Sequence, residues 1–398
     1  MHGSVVALEQ WWSEAREGLG QACFLLLLAA TETAAVPGIS AAGSTADARR
    51  LTAAADAELL TLGPTAARPH ALPPLPAGVS PALISQVVCA ALQLPVVVVD
   101  GGCQVAPAIA HLRAAGAAGA RCLSSGRAME RRQVLRLMRW GRQWGHRWRA
   151  SHPRGLLVIG ECVAGGTSTA AAVLAGLGLN GTELVSGSLR QPPHRLRQRL
   201  LMAGLGAAGL PRRDGQPADP VAVLAAVGDP MQALAAGVVL EAMDAGPVLL
   251  AGGSQMAAVW AVLLALVMRR EGSAANTTLA PLPSRPDVTL RQGLFTRVCL
   301  GTTRWVAQDA GSDLARLLAG LAHHWQLKDA PLALATSLSF ADCHHQALRD
   351  YEAGYVKEGV GAGGLALLAE CAGLEPEELA RRCDAACASV AVQASAPG

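Results

Sequence analysis

Four short runs of the chain are continuously apolar, end in small or acidic residues and lead into helix-patterned segments: PVVVVDGG (95–102), GLLVIGE (155–161), VLAAVGD (223–229) and GPVLLAGG (246–253). A strand that does not alternate with polar positions is covered on both faces, and strand followed by helix, repeated, is the pattern of a parallel α/β sheet. These runs therefore predict a doubly wound, mostly parallel, Rossmann-like sheet. Ligands in such sheets bind beyond the carboxyl ends of the strands. Asp100, Glu161, Asp229, Gly252 and Gly253 are accordingly expected to face one crevice. Two further apolar runs, FLLLLAA (24–30) and MAAVWAVLLALVM (256–268), fall short of the roughly 18 to 20 residues that a membrane span needs, and both read as buried core helices.

Residues 64–82 are proline-rich and read as an irregular connection, 211–220 (PRRDGQPADP) as a polar loop, and the small, polar tail from Ala386 onward as disordered. The segment from Arg121 to Arg154 is arginine-rich, with Trp140, Trp144 and Trp148 four residues apart. That spacing predicts an amphipathic helix that packs its tryptophans and solvates its arginines. Composition changes the picture little. With 398 residues, 51% hydrophobic and 16% charged, the chain can bury a substantial core. A net charge of +3 is too small for this size to argue for a nucleic-acid partner. The ten cysteines contain no CxxC, and Cys383 with Cys387 is their one close pair, so buried free thiols are expected. Glu9, Glu14 and Glu17 precede the first apolar run, which argues against a secretory leader and for the cytoplasm.

Two stretches carry candidate chemistry. GECVAGGTST (160–169) places Glu161 at a strand end, Gly165 and Gly166 in a turn, and Thr167, Ser168 and Thr169 at the start of a helix. Free amides and the helix dipole converge at such a point and suit an anion, although the same residues also make an ordinary turn with a threonine cap. The stretch is neither a Walker A loop nor a GxGxxG turn. YVKEGVGAGGLALLAE (355–370) again sets a carboxylate, Glu358, beside Lys357 and before Gly359, Gly361, Gly363 and Gly364. A carboxylate in a partly apolar pocket has a raised pKa and suits a general base; the alternative is a solvated helix cap with Lys357 and Glu358 exposed. His323-His324 and His344-His345 are adjacent pairs that point about 100° apart on a helix, which suits surface or packing roles better than chelation. No metal site is expected.

In order along the chain, these motifs resemble the nicotinate-nucleotide:dimethylbenzimidazole phosphoribosyltransferase family. GECVAGGTS is similar to that family's glutamate and phosphate-side loop, DPVAVLAAVGD (219–229) to its Asp-Pro segment, VLLAGG to its later strand, Glu358-Gly359-Val360-Gly361-Ala362 to its catalytic E-G-x-G-A, and VVVDGGC (97–103) to an earlier strand. The resemblance spans roughly residues 80 to 370. It is closer to a divergent branch found in cyanobacteria and archaea, in which PGISAAG (37–43), ADAELLTLG (55–63), GGTST, VGDPMQ and VKEGVGAGG recur as here. Departures from the main family are Gly166 in place of Asn, Gly252 in place of Asp and Asp229 in place of Gly. No lysine lies between 158 and 327, which leaves Arg190, Arg195, Arg212 or Arg213 to supply a phosphate-binding charge.

The resemblance implies a smaller helical part built from both chain ends, with an N-terminal segment over 1–80, a nucleotide-binding core over 81–340 and a C-terminal helical segment with the catalytic loop over 341–398. It implies transfer of the 5-phosphoribosyl group of nicotinate mononucleotide to a cobamide lower-ligand base, benzimidazole or purine, giving an α-ribotide and nicotinate, without a cofactor, in a homodimer. Glu358 takes the general-base role and Glu161 orients the ribose or the loop. Gly165, Gly166, Thr167, Ser168, Thr169, Gly228, Asp229, Gly252, Gly253, Lys357, Gly359 and Gly361 are expected around the nucleotide, and Asp100 and Gly101 around the base. A nucleotide-binding or regulatory protein that keeps the pocket without turnover is the alternative.

Overall fold

The architecture comes from a computed structural model that describes residues 5–179, 181–210, 218–271 and 287–395. Seven strands form one sheet: β1 (Cys23–Leu28), β2 (Val96–Asp100), β3 (Leu112–Arg113), β4 (Leu157–Cys162), β5 (Val248–Ala251), β6 (Val298–Thr302) and β7 (Leu332–Ala335). Their order is β3-β2-β1-β4-β5-β6-β7, and every pairing is parallel. The order reverses between β1 and β4, so the loops that leave these two strands diverge and open a crevice there. Register sets Leu27 beside Glu161 and Leu28 beside Cys162, which puts the start of GECVAGG at that crevice.

Alternate residues of each strand point to opposite faces. Leu25, Leu27, Leu157 and Ile159 join one core, under the helices Arg131–Ser151, Gly166–Gly176, Pro230–Ala242 and Ser254–Glu271. Phe24, Leu26, Leu28 and Val158 join the other, under helices drawn from both chain ends: Val5–Gly18, Ala46–Leu62, Ala82–Leu92, Ala362–Cys371 and Pro376–Ser395.

Three expectations need correction. FLLLLAA is strand β1, not a core helix, because six apolar residues are strand length and the flanking Gly20 and Thr31 leave no room for further helical turns. VLAAVGD is not a strand: residues Pro220–Val227 are a buried helix that Asp219 caps through the Val221 amide at 3.1 Å. An Asp-Pro start and an alanine-rich run favour helix, and apolar continuity alone does not separate the two. The tail is helical as far as Ser395, because Leu379, Cys383, Cys387 and Val390 bury one stripe against the second core. MAAVWAVLLALVM is helical as expected, within Ser254–Glu271, and among the described residues no helix is long and apolar enough to cross a membrane.

The Arg/Trp segment does form an amphipathic helix, Arg131–Ser151, with Trp148 buried and stacked on Trp144. Several of its arginines are held by carboxylates rather than left for a polyanion: Arg142 meets Glu241, and Arg149 meets Asp244, each at 2.7 Å. His344 and His345 both bond the Asp384 carboxylate through Nδ1, at 2.7 and 2.8 Å. Arg212, Arg213 and most of the 211–220 loop lie outside the described residues.

Candidate active site

Strand β4 ends in Glu161 and Cys162, and the chain then turns through Gly165 at φ +79° into the helix Gly166–Gly176. That left-handed turn favours glycine, and a side chain there would press on the Ala34 backbone, 3.1 Å from its nitrogen. A Cβ on Gly166 would displace the end of the Gln255 side chain. In the first turn the Gly166 amide donates to the Val163 carbonyl and the Ser168 amide to the Gly165 carbonyl, each at 2.9 Å, which leaves the Thr167 amide beside a cleft of about 300 Å³. Thr167, Ser186, Gly187 and Ser188 continue its polar wall.

Behind that wall lies a cation. Arg197 is fully buried, donates to the carbonyls of Val185 at 2.8 Å and Ser186 at 3.0 Å, and meets no carboxylate among the described residues. Its guanidinium would stand 3.1 Å from a Cβ placed on Gly187. Arg197 thus supplies positive potential beneath the wall, which the sequence reading sought in its exposed neighbours Arg190 and Arg195.

The opposite wall is the segment 356–361, whose backbone is unusual. Val356, Lys357 and Val360 have φ of +62°, +66° and +53°, in company with Gly359 at +143° and Gly361 at +78°. Positive φ at a β-branched residue is strained, and strain of this kind persists only where the surroundings fix it. The fixing contacts are visible. Glu358 Oε2 accepts from the Thr302 hydroxyl at 3.0 Å and the Thr303 amide at 2.9 Å, while Oε1 accepts from the Gly359 amide at 3.2 Å and the Gly363 amide at 3.0 Å. The Val360 amide donates to the Glu161 carbonyl at 2.9 Å. Lys357 is not exposed; its Nζ is buried against Asp309 at 2.9 Å, and Asp309 also accepts from Ser186 at 2.7 Å. A chain of Lys357, Asp309 and Ser186 therefore joins the two walls.

Burial, the largest effect, and then the neighbouring Asp229 and Glu358 carboxylates push Glu161 up to about 8 from an ordinary 4.5, against hydrogen bonds from the Val163 amide and the Gln255 side chain. Glu358 is also raised, because burial outweighs its four donors. The Glu161 shift has a consequence for stability. Its folded-state pKa exceeds its unfolded one, so between pH 4.5 and 8 the native state holds a proton that the unfolded chain has lost, and stability falls as pH rises through that window. Glu161→Gln is expected to remove this cost, on the order of 3 to 5 kcal/mol at pH 8. Thermal melts should show the variant above wild type at pH 8 and near it at pH 4.5; equal differences at both would contradict the assignment.

Of the residues expected at the site, the cleft gathers Glu161, Gly165, Gly166, Thr167, Gly253, Lys357, Glu358 and Gly359. Others lie behind its surface. Ser168 is fully buried within its helix, and Thr169 donates to Asp229 at 2.5 Å. Asp229 caps the helix Pro230–Ala242 through the Met231 and Gln232 amides, with Gly228 packed on Leu224 and Gln232. Gly252 packs against Met256, and Gly361 against Phe24. Asp100 and Gly101 do not line the cleft: the Asp100 carboxylate accepts from the Gly102 and Cys103 amides and pairs with Arg113 at 2.7 Å, beyond β1 from the cleft. Sequence reasoning missed Asp56, Ser80, Gln255, Thr302, Thr303 and Asp309. For Asp56 a signal was present, since it is an acid within the alanine run of ADAELLTLG. Among the described residues, no group of three His, Cys, Asp or Glu side chains is placed to hold a metal ion.

Known proteins resemble this chain in sequence and in fold. Residues 79–274 match a family model described as phosphoribosyltransferase. A UPF0284 protein of Prochlorococcus marinus (strain MIT 9313) is 44% identical over 96% of this chain and 90% of its own length. One of Parasynechococcus marenigrum (strain WH8102) is 47% identical over 91% and 86%. Among solved structures, CobT from Thermus thermophilus superposes with a TM-score of 0.56 at 20% identity, over 94% of this chain and 89% of that one. A nicotinate-nucleotide-dimethylbenzimidazole phosphoribosyltransferase structure from the same organism gives 0.55 at 20%, over 92% of both chains. At that identity the likeness establishes the fold.

Proposed function

Because the chain belongs to the UPF0284 family and shares the phosphoribosyltransferase match and the CobT fold, we propose that it moves the 5-phosphoribosyl group of nicotinate mononucleotide to an aromatic nitrogen base. The observation that carries this reading is the meeting, in one cleft, of the glycine turn at 165–166 with the carboxylate of Glu358 from the far end of the chain.

In this reading the phosphate sits against the turn and the 186–188 wall, where the helix dipole, the amide and hydroxyl of Thr167 and the buried Arg197 favour an anion. A ring nitrogen of the base attacks C1 of the ribose. The bond from C1 to the nicotinate nitrogen breaks, its electron pair returns to that ring, and the attacking base passes its N–H proton to Glu358. Anchoring the phosphate fixes the line of attack, an effect of several kcal/mol in favourable cases. Nicotinate leaves from a cationic pyridinium nitrogen and needs no general acid. Three of the donors to Glu358 are backbone amides and fixed; the Thr302 hydroxyl is the one that can rotate away as the base N–H arrives. Glu161, neutral below about 8, orients the ribose.

The pH dependence of kcat/KM for nicotinate release tests these roles. Glu358 must be ionised and its pKa is raised by burial, so the rate falls on acidification from a break above the ordinary 4.5. Ionisation of Glu161 adds an alkaline limb near 8. A rate that stays flat down to pH 4.5 would remove Glu358 as the base.

A further inference from the structure

Beyond the two glutamates, the cleft holds a third acid with no part in the chemistry above. Asp56 lies on the buried side of the helix Ala46–Leu62 among Ala53, Ala54, Ala55 and Ala57, is 4% exposed, and still lines the cleft. Its Oδ1 accepts from the Ser80 hydroxyl at 2.6 Å. Among the described residues its Oδ2 accepts only from the Cys162 thiol, at 3.4 Å, a weak donor. A buried carboxylate has room for about four donors and loses stability without them, so this one is left under-supplied on an otherwise apolar wall of Leu72, Leu75, Val79 and Pro81. That wall abuts the catalytic loop. A Cβ on Gly359 would lie 2.9 Å from Pro81 Cγ, and the Ser85 hydroxyl donates to the Val360 carbonyl at 2.8 Å. A flat ring whose attacking edge faces Glu358 therefore has this wall as its neighbour.

We propose that Asp56 determines which base is accepted: it takes a hydrogen bond from an N–H group on the ring edge away from the attacking nitrogen, and so selects an aminopurine over a base that carries methyl groups there. Methyl groups against Asp56 would bury the carboxylate without a donor, and a site built to bond an N–H rejects the analogue that lacks one far more strongly than an apolar pocket rejects an extra atom. The inference rests on the transferase reading and names its substrate class.

The test uses the full chain, wild type and with Asp56→Leu or Asp56→Asn, and the probes adenine and 5,6-dimethylbenzimidazole. It measures kcat/KM with nicotinate mononucleotide and, separately, equilibrium binding of each free base. Wild type is expected to prefer adenine on the order of 10²-fold in both measurements. Asp56→Leu should abolish or reverse that preference, and Asp56→Asn, which keeps the shape but loses the charge, should reduce it about tenfold. A wild-type preference for dimethylbenzimidazole, or a ratio unchanged in both variants, overturns the inference. Adenine binding that the variants weaken, without turnover of any base, would overturn the transferase reading and leave the Asp56 contact standing. Failure of wild type to bind adenine at all overturns the contact itself.

Discussion

Glu358→Gln is expected to bind nicotinate mononucleotide within about twofold of wild type and to lose transfer by roughly 10²- to 10⁴-fold, the usual contribution of a positioned base. The amide keeps the size of the carboxylate but cannot take a proton. It also offers one acceptor oxygen where the loop presents donors to both: Thr302 and Thr303 on one side, Gly359 and Gly363 on the other. The NH2 group is best tolerated on the Thr302 side, where the hydroxyl can turn to accept, and it leaves the Thr303 amide unpaired, at a cost of about 1 to 3 kcal/mol in stability. Calorimetric titration separates binding from turnover. A variant that turns over at the wild-type rate would show that the proton goes elsewhere.

Gly363→Ala is expected to destabilise the protein by about 3 kcal/mol or more and to reduce turnover with it, the reverse of what helix propensity suggests. Gly363 lies in the first turn of the helix Ala362–Cys371, where alanine is ordinarily better by about 1 kcal/mol. Here a Cβ would overlap the Thr302 carbonyl carbon and the Thr303 nitrogen, and would stand 2.5 Å from Glu358 Oε2. Backbone on both sides has to move, and the atoms that move are those that hold the carboxylate. A thermal melt decides the sign: a variant as stable as wild type would mean that the close contact is not a constraint.

The glycines beside Glu161 and Glu358 could be read from the sequence, and the reason is physical. Gly165 and Gly359 adopt conformations that other residues avoid, and an acid beside such a residue at an element end stands out in a linear chain. What surrounds them could not be read in this way. Val356 and Val360 are β-branched, and nothing in their type foretells positive φ. Lys357 was legible as a charge, but its partner Asp309 comes from a different loop. Arg197 looked like any other arginine of a basic helix, yet it is the fully buried one.

The errors about Asp229 and Asp100 share one cause. Asp229 was taken for a strand-end acid because VLAAVGD is as apolar as a buried strand; once that run is a helix, Asp229 becomes the cap of the next helix and the partner of Thr169. Asp100 does end a strand, but β2 lies outside β1 and away from the point where the sheet order reverses, so its carboxylate serves its own turn. Being at a strand's carboxyl end was a sound criterion; which strands flank the crevice depends on β1, the strand read as a helix.

The most direct measurement is incubation of the full chain with nicotinate mononucleotide and a panel of purines and benzimidazoles, followed by mass spectrometry for ribotides and free nicotinate, with the anomeric configuration read by NMR. An α-ribotide formed in equal amount with nicotinate is the expected result. Nucleotide binding without either product would contradict the transferase reading and identify the cleft as a binding site alone.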